Sequence, residues 1–296
     1  MTRVLDFASL ERLVEHALAS GDEAALHVLG YGEITSVLAW PAADGPWACK
    51  RLPVFDSADR LADFRAQFGQ YVTTLQHHGV NVHDSRIEVV LTEAGTVAYI
   101  VQPTLAPSAL GPAMLRGTSV ADGRALLSAI IDHIAVVVSP TVGLDAQLAN
   151  WGIVDDELVY FDISTPMLRD PTGRDLLDTE LFLTSLPPFL RPVVRKFLLG
   201  SILDQFFEPR AAALDLAANL YKERLGEWVP VVFELANERL PLERALTISE
   251  AKRYYRRDMR VWGMLQTMRR LDRTWQRKVR RRPYRFLLPG RINRRL

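Results

Sequence analysis

The chain has 296 residues, 48% of them hydrophobic and 24% charged, values that exclude a disordered, collagen-like or rod-like molecule and leave room for a sizeable core. Its net charge of +1 hides a division: residues 239–296 carry 19 Lys and Arg against 4 Asp and Glu, whereas the other 238 residues carry 17 against 31. An acidic body therefore precedes a basic tail, which points to an anionic partner or to one part docking on the other. The one cysteine, Cys49, excludes internal disulfides and a Cys-rich zinc site. Asp6 stands where a signal peptide would carry its apolar segment, and Asp132 and His133 cut the best apolar run, around Ala129 to Val138, so a cytoplasmic protein without a signal peptide or transmembrane segment is expected.

In chain order, helical spacing of Leu10, Leu13, Val14, Ala17 and Leu18 predicts a helix over 9–20 that Gly21 stops. Short apolar runs then predict strands at 27–29, 34–40, 47–52, 87–91 and 97–101, interrupted by one amphipathic helix at 58–77. After Pro103 the pattern turns helical, most clearly over 121–138. Two tight strands, 151–154 and 158–161, follow around the turn Asp155-Asp156. Further helices are predicted at 174–185, 190–207 and 211–224.

Three places carry candidate chemistry. Gly30 and Gly32 sit between strands, where a missing Cβ lets backbone N–H groups approach a phosphate, although glycines there also suit a plain hairpin turn. Lys50 ends the apolar strand Trp47-Ala48-Cys49, aimed either into a cleft or into solvent. Asp145 and Asn150 lie five residues apart on an apolar loop, and the hairpin that follows returns to Asp162. Two carboxylates and an amide suit a hydroxyl nucleophile and a hard cation, but singly each also suits a turn or helix cap. His77, His78, His83 and His133 lack metal-ligand spacing and read as solvated or capping residues. No Walker-type Gly-Lys-Ser/Thr and no Gly-x-Ser-x-Gly occurs.

Taken together, residues 25–165 resemble the protein kinase-like fold, in its aminoglycoside and choline phosphotransferase branch. Gly30-x-Gly32-x-x-Thr35-x-Val37 is similar to the glycine-rich strand-turn-strand, with Thr35 in place of the third glycine, and Ala48-Cys49-Lys50 is similar to the Val-Ala-Ile-Lys strand. Asp145 to Asn150 has the Asp-x-x-x-x-Asn interval, and Asp162-Ile163-Ser164 stands where Asp-Phe-Gly would. The resemblance implies a two-lobed α+β molecule binding ATP and Mg2+: an N-lobe sheet with one or two helices over 1–102, a helical C-lobe over 103–238, and the basic tail 239–296. It implies Lys50 on the α- and β-phosphates, Asp145 as base, and Asn150 and Asp162 as magnesium ligands. Gly30, Gly32, Thr35, Val37, Ala48, Val101 and Gln102 would line the nucleotide site, with residues 99–102 as the adenine hinge. The implied activity is ATP-dependent phosphoryl transfer to a hydroxyl of a small, non-protein acceptor.

The chain departs from that pattern in three ways. Gly143-Leu144 replaces the loop histidine, no Ala-Pro-Glu segment occurs, and no glutamate lies between Arg51 and Ile87 to pair with Lys50. Gln67, Gln70 or Asp63 would have to substitute. These departures also suit a catalytically impaired, nucleotide-binding scaffold. In the tail, Thr247 and Glu250 start a helix whose Tyr254, Val261, Leu265, Met268, Trp275 and Val279 recur on one side with arginines opposite, and Pro283 should stop it. Such a helix can dock on the acidic body or a protein partner, lie on an anionic membrane or, less in keeping with its pattern, bind a nucleic acid.

Overall fold

The structure, a computed structural model, describes residues 6–32, 35–197, 199–282 and 284–288. It is an α+β molecule in which a five-stranded antiparallel sheet is followed by a helical region.

Helix α1 (Phe7–Ser20) starts where the Asp6 carboxylate accepts the Ser9 N–H at 3.0 Å, and ends at Gly21, whose φ of 84° is the left-handed value that glycine adopts freely. Strands β1 (Val28–Tyr31), β2 (Ser36–Trp40) and β3 (Trp47–Arg51) form a meander. Helix α2 (Ala58–His77) crosses before β4 (Arg86–Thr92) and β5 (Gly95–Pro103), giving the strand order β1-β2-β3-β5-β4. Ile34, expected to open the second strand, lies outside the described residues.

Alternation along the strands sorts their side chains. Leu38, Cys49, Val97, Tyr99 and Val101 pack under α1, whereas Leu52, Ala98 and Ile100 face α2 with Phe64, Phe68 and Tyr71. Residues 97–101 are continuously apolar because both faces of β5 are covered. On the α1 side a buried ion pair joins helix to sheet: Arg51 Nη2 lies 2.7 Å from Glu11 Oε1, and the Tyr99 hydroxyl donates to the same carboxylate. Burial pushes the neighbouring Cys49 thiol up to about 12. Native protein should therefore resist alkylation by iodoacetamide at mildly alkaline pH and react on denaturation; rapid labelling of the native chain would contradict the burial.

The helical region begins with α3 (Gly111–Arg116) and α4 (Val120–Val137) and continues through the hairpin β6 (Trp151–Val154) and β7 (Glu157–Tyr160). Asp155 and Asp156 have φ of 48° and 64°, the pair of positive values of a two-residue type I′ turn. Then come α5 (Thr179–Leu183), α6 (Arg191–Phe197), α7 (Leu199–Asp204), α8 (Pro209–Lys222), α9 (Val229–Arg239) and α10 (Ile248–Lys278). Helices α3 and α9 are not apparent from periodicity, being short and opened by proline. The expected helix over 174–185 shrinks to α5, because Arg169 bridges back to Asp175 at 2.7 Å and Asp170 caps Thr172 and Arg174. The stretch expected as a helix over 190–207 carries α6 and α7 and ends in a 3-10 turn whose Phe206 carbonyl accepts the Leu144 N–H at 3.0 Å. One apolar core runs from α2 through α4, α8 and α9.

The basic tail is docked on this body. Thr247 and Glu250 form a full capping box, Arg210 pairs with Glu250 at 3.0 Å, and Leu265 packs with Leu183, Leu186 and Val194. Further along, Arg277 Nη2 donates to the Leu18 carbonyl at 3.0 Å and Leu287 joins the core under α1, so the segment ties the helical region to the sheet. The expected single apolar side is split: Leu265 is buried, but Trp275 and Val279 are exposed. Pro283 lies outside the described residues, and the helix already ends at Lys278, with Arg281 in the left-handed region. No helix among the described residues is long and apolar enough to cross a membrane.

Candidate functional site

Strand register builds the first wall of a cavity of about 820 Å³. Val37 stands opposite Lys50, and Ala48 opposite Gln102, so all four project from the sheet on the α2 side and line the cavity with Gly30 and Gly32. A Cβ built on Gly30 would meet nothing within 4 Å, leaving this stretch of backbone open to a ligand. Lys50 Nζ lies 2.6 Å from Asp162 Oδ1 and 2.7 Å from Ser164 Oγ, across 112 and 114 residues of chain.

The loop from Gly143 to Asn150 forms the floor. Its backbone is held by Met167 and Phe206, whose carbonyls accept the N–H groups of Gly143 and Leu144 at 2.9 and 3.0 Å, and the Tyr71 hydroxyl of α2 donates to the Gly143 carbonyl at 2.9 Å. Tyr71 thus supplies an anchor to a loop that lacks a histidine. Asn150 Nδ2 donates one of its hydrogens to the Asp145 carbonyl at 3.1 Å, which fixes the orientation of an amide that lines the cavity. Burial, reinforced by the Asp215 and Asp162 carboxylates, raises the Asp145 pKa. Burial acts on Asp162 in the same direction, but the Lys50 ammonium and hydrogen bonds from Lys50 and Ser164 outweigh it and hold that carboxyl below its usual range. Asp162 is thereby the committed anion of the site and Asp145 the group inclined to keep a proton.

The opposite wall comes from α8 and α10 and holds none of the residues expected from sequence to bind or catalyse. Gln147, in the middle of the floor loop, donates to Asp215 at 2.8 Å and accepts from Asn219 Nδ2 at 2.9 Å. Tyr254 of α10 donates to Asp215 at 2.8 Å and also bonds Gln205. Helix α8 thus holds both ends of one loop amide, and α10 reaches it through Asp215. Asp215 and Asn219 are i and i+4 on α8, a spacing that sets them on one side. In a sequence that signal reads equally well as a solvated polar face. Trp262 closes this side of the cavity.

Several expected positions lie elsewhere. Thr35 borders a separate small recess with Leu52 and Leu287. Val101 points under α1, its backbone paired with Cys49 and Arg86, and the chain that borders the cavity at the end of β5 is Gln102 to Leu105 rather than 99–102. The cause is that β5 runs on to Pro103. Gln67 donates instead to the Leu176 carbonyl at 2.8 Å, while Gln70 and Asp63 are exposed, so no side chain of α2 pairs with Lys50 among the described residues. His83, expected to be solvated or capping, is buried instead, its Nε2 2.9 Å from the Pro103 carbonyl, and the half-buried His133 stacks on Trp151 with centroids 5.1 Å apart. Among the described residues no cluster of three His, Cys, Asp or Glu side chains could hold a metal by itself.

No curated protein matches the chain. A model of a family of unknown function matches residues 9–273, from the first turn of α1 to within five residues of the end of α10, so the helix that walls the cavity falls inside the matched region. With nearly the whole chain covered, the protein belongs to the DUF6206 family.

Proposed function

We propose that the cavity binds Mg-ATP and that the protein is a kinase-like phosphotransferase acting on a hydroxyl of a non-protein acceptor. The observation that carries this reading is the convergence of Lys50, Asp145, Asn150 and Asp162, from one strand and two distant loops, on one cavity. A five-stranded antiparallel sheet with a helix between its third and fourth strands, joined to a helical region, is in keeping with the two-lobed kinase-like arrangement that the resemblance implies.

The residues suit the proposed ligands. A cavity of about 820 Å³ is within the range of small-molecule and cofactor sites. Val37, Ala48, Leu105 and Phe161 give it apolar lining, and Lys50 shares the cavity wall with the open backbone at Gly30, with Val37 in register between them. Asp162 and the Asn150 amide oxygen are hard donors, and magnesium typically takes one or two protein ligands and fills its shell with phosphate and water. A self-sufficient protein cage is therefore not required.

Bound Mg-ATP supplies the phosphoryl group and the cation that offsets its charge. The chain's part is to hold and polarise. Lys50 presents a fixed ammonium, kept in place by Asp162 and Ser164. Asp145 faces the cavity from a loop pinned by Tyr71 and Gln147, positioned to accept the acceptor's proton. Trp262 and Tyr255 of α10 narrow the acceptor side and restrict water.

A second reading is favoured by one observation: α2 contributes no partner to Lys50. The protein would then be a scaffold that binds Mg-ATP without turning it over. Release of ADP from Mg-ATP by the purified chain with a panel of small hydroxyl acceptors decides between the two. Acceptor-dependent ADP supports the transferase, and binding without ADP supports the scaffold.

A further inference from the structure

Helix α10 is buried on one side only. Ala251, Tyr255, Leu265 and Arg269 face inward. On the outward side Met264, Leu271, Trp275 and Val279 are 48%, 60%, 56% and 57% exposed, a row at intervals of seven, four and four residues. The same side carries exposed Arg253, Arg257 and Arg260 toward the start of the helix and exposed Lys278 at its end, and exposed Arg280, Arg281 and Arg282 follow directly after it. None of these seven cations has a charged partner among the described residues. The acids of this stretch, Asp258 and Asp272, are half-buried and off the row.

We propose that this face docks on an anionic lipid bilayer. Leucine, valine and tryptophan exposed in one row gain by entering the boundary between headgroups and acyl chains, and basic residues beside them gain from anionic headgroups. A nucleic-acid backbone would use the cations but leave Leu271, Trp275 and Val279 in water. Arg257 belongs both to this face and to the lining of the cavity, so a docked chain carries the cavity rim at the headgroup layer.

The test is flotation of the full chain with vesicles of phosphatidylcholine alone or mixed with phosphatidylglycerol, at low and high salt. The chain should float with the mixed vesicles only, and less at high salt. Lys278→Ala/Arg280→Ala/Arg282→Ala should weaken binding about a hundred-fold, at roughly five-fold per charge removed, and Leu271→Ser/Trp275→Ser should abolish flotation at high salt. Both variants alter exposed side chains and should keep the wild-type Tm, which separates lost docking from lost folding. Absence of flotation, equal binding to both vesicles, or wild-type binding by either variant would overturn the proposal. So would retention of RNA without retention of vesicles, which would assign the face to nucleic acid.

Discussion

Asp145→Asn is expected to lower ADP production from Mg-ATP by about 10²- to 10⁴-fold, the contribution of a positioned general base, while Mg-ATP still binds. The amide has nearly the shape of the carboxylate and can keep the contact to the Gln147 N–H by presenting its oxygen. What it loses is the capacity to accept a proton. In the wild type, burial and the nearby Asp215 and Asp162 carboxylates raise the Asp145 pKa. Only the deprotonated form works as a base, so turnover should rise with pH through this titration and be lost as pH falls through it. Steady-state kinetics of wild type and Asp145→Asn across pH check both statements. A variant as fast as the wild type would remove Asp145 from the chemistry.

Glu11→Ala is expected to cost about 3–5 kcal/mol, because it leaves the Arg51 guanidinium buried without its counter-charge. Arg51 and Glu11 side chains are only 9% and 2% exposed, and the Tyr99 hydroxyl loses its acceptor as well. The melting temperature should drop by on the order of 10 °C. Glu11→Leu/Arg51→Met should recover much of that loss, since a well-packed apolar pair replaces an ion pair at little cost. Cutting the exposed Arg195–Glu180 pair should change little, because water already screens both charges. Because Arg51 follows Lys50 on β3, Glu11→Ala also tests whether docking of α1 holds the strand that presents the cavity's lysine. Thermal denaturation of the three variants is sufficient.

The parts of this molecule governed by local periodicity were legible in its sequence. The stripe of α4, the capping box of α10 and the turn at Asp155-Asp156 depend on residues a few positions apart. The order of Lys50, Asp145, Asn150 and Asp162 was legible too, because each sits at the end of a strand or in a short loop. Alternation alone could have excluded the Val101 side chain once Gln102 was assigned to the cavity, since neighbours on a strand face opposite ways. What periodicity could not reach are the contacts across long separations. Gln147 meets Asp215 and Asn219 at 68 and 72 residues' distance, and a buried acid on an amphipathic helix carries no local mark. Tyr71 falls on the buried apolar stripe of α2, and only its hydroxyl on the Gly143 carbonyl sets it apart. The charge count singled out the tail but averaged over its two sides, so it could not tell the inward Leu265 from the outward Trp275.

A thermal-shift titration of wild type and Asp162→Asn with ATP, with and without magnesium, tests most directly the proposal that the cavity holds Mg-ATP through Lys50 and Asp162. The wild type should melt higher with Mg-ATP by an amount that grows with ligand concentration, and less with ATP alone. Asp162→Asn should show no magnesium-dependent rise. A wild-type melting temperature unmoved by saturating Mg-ATP, or an Asp162→Asn variant that responds like the wild type, would contradict the account.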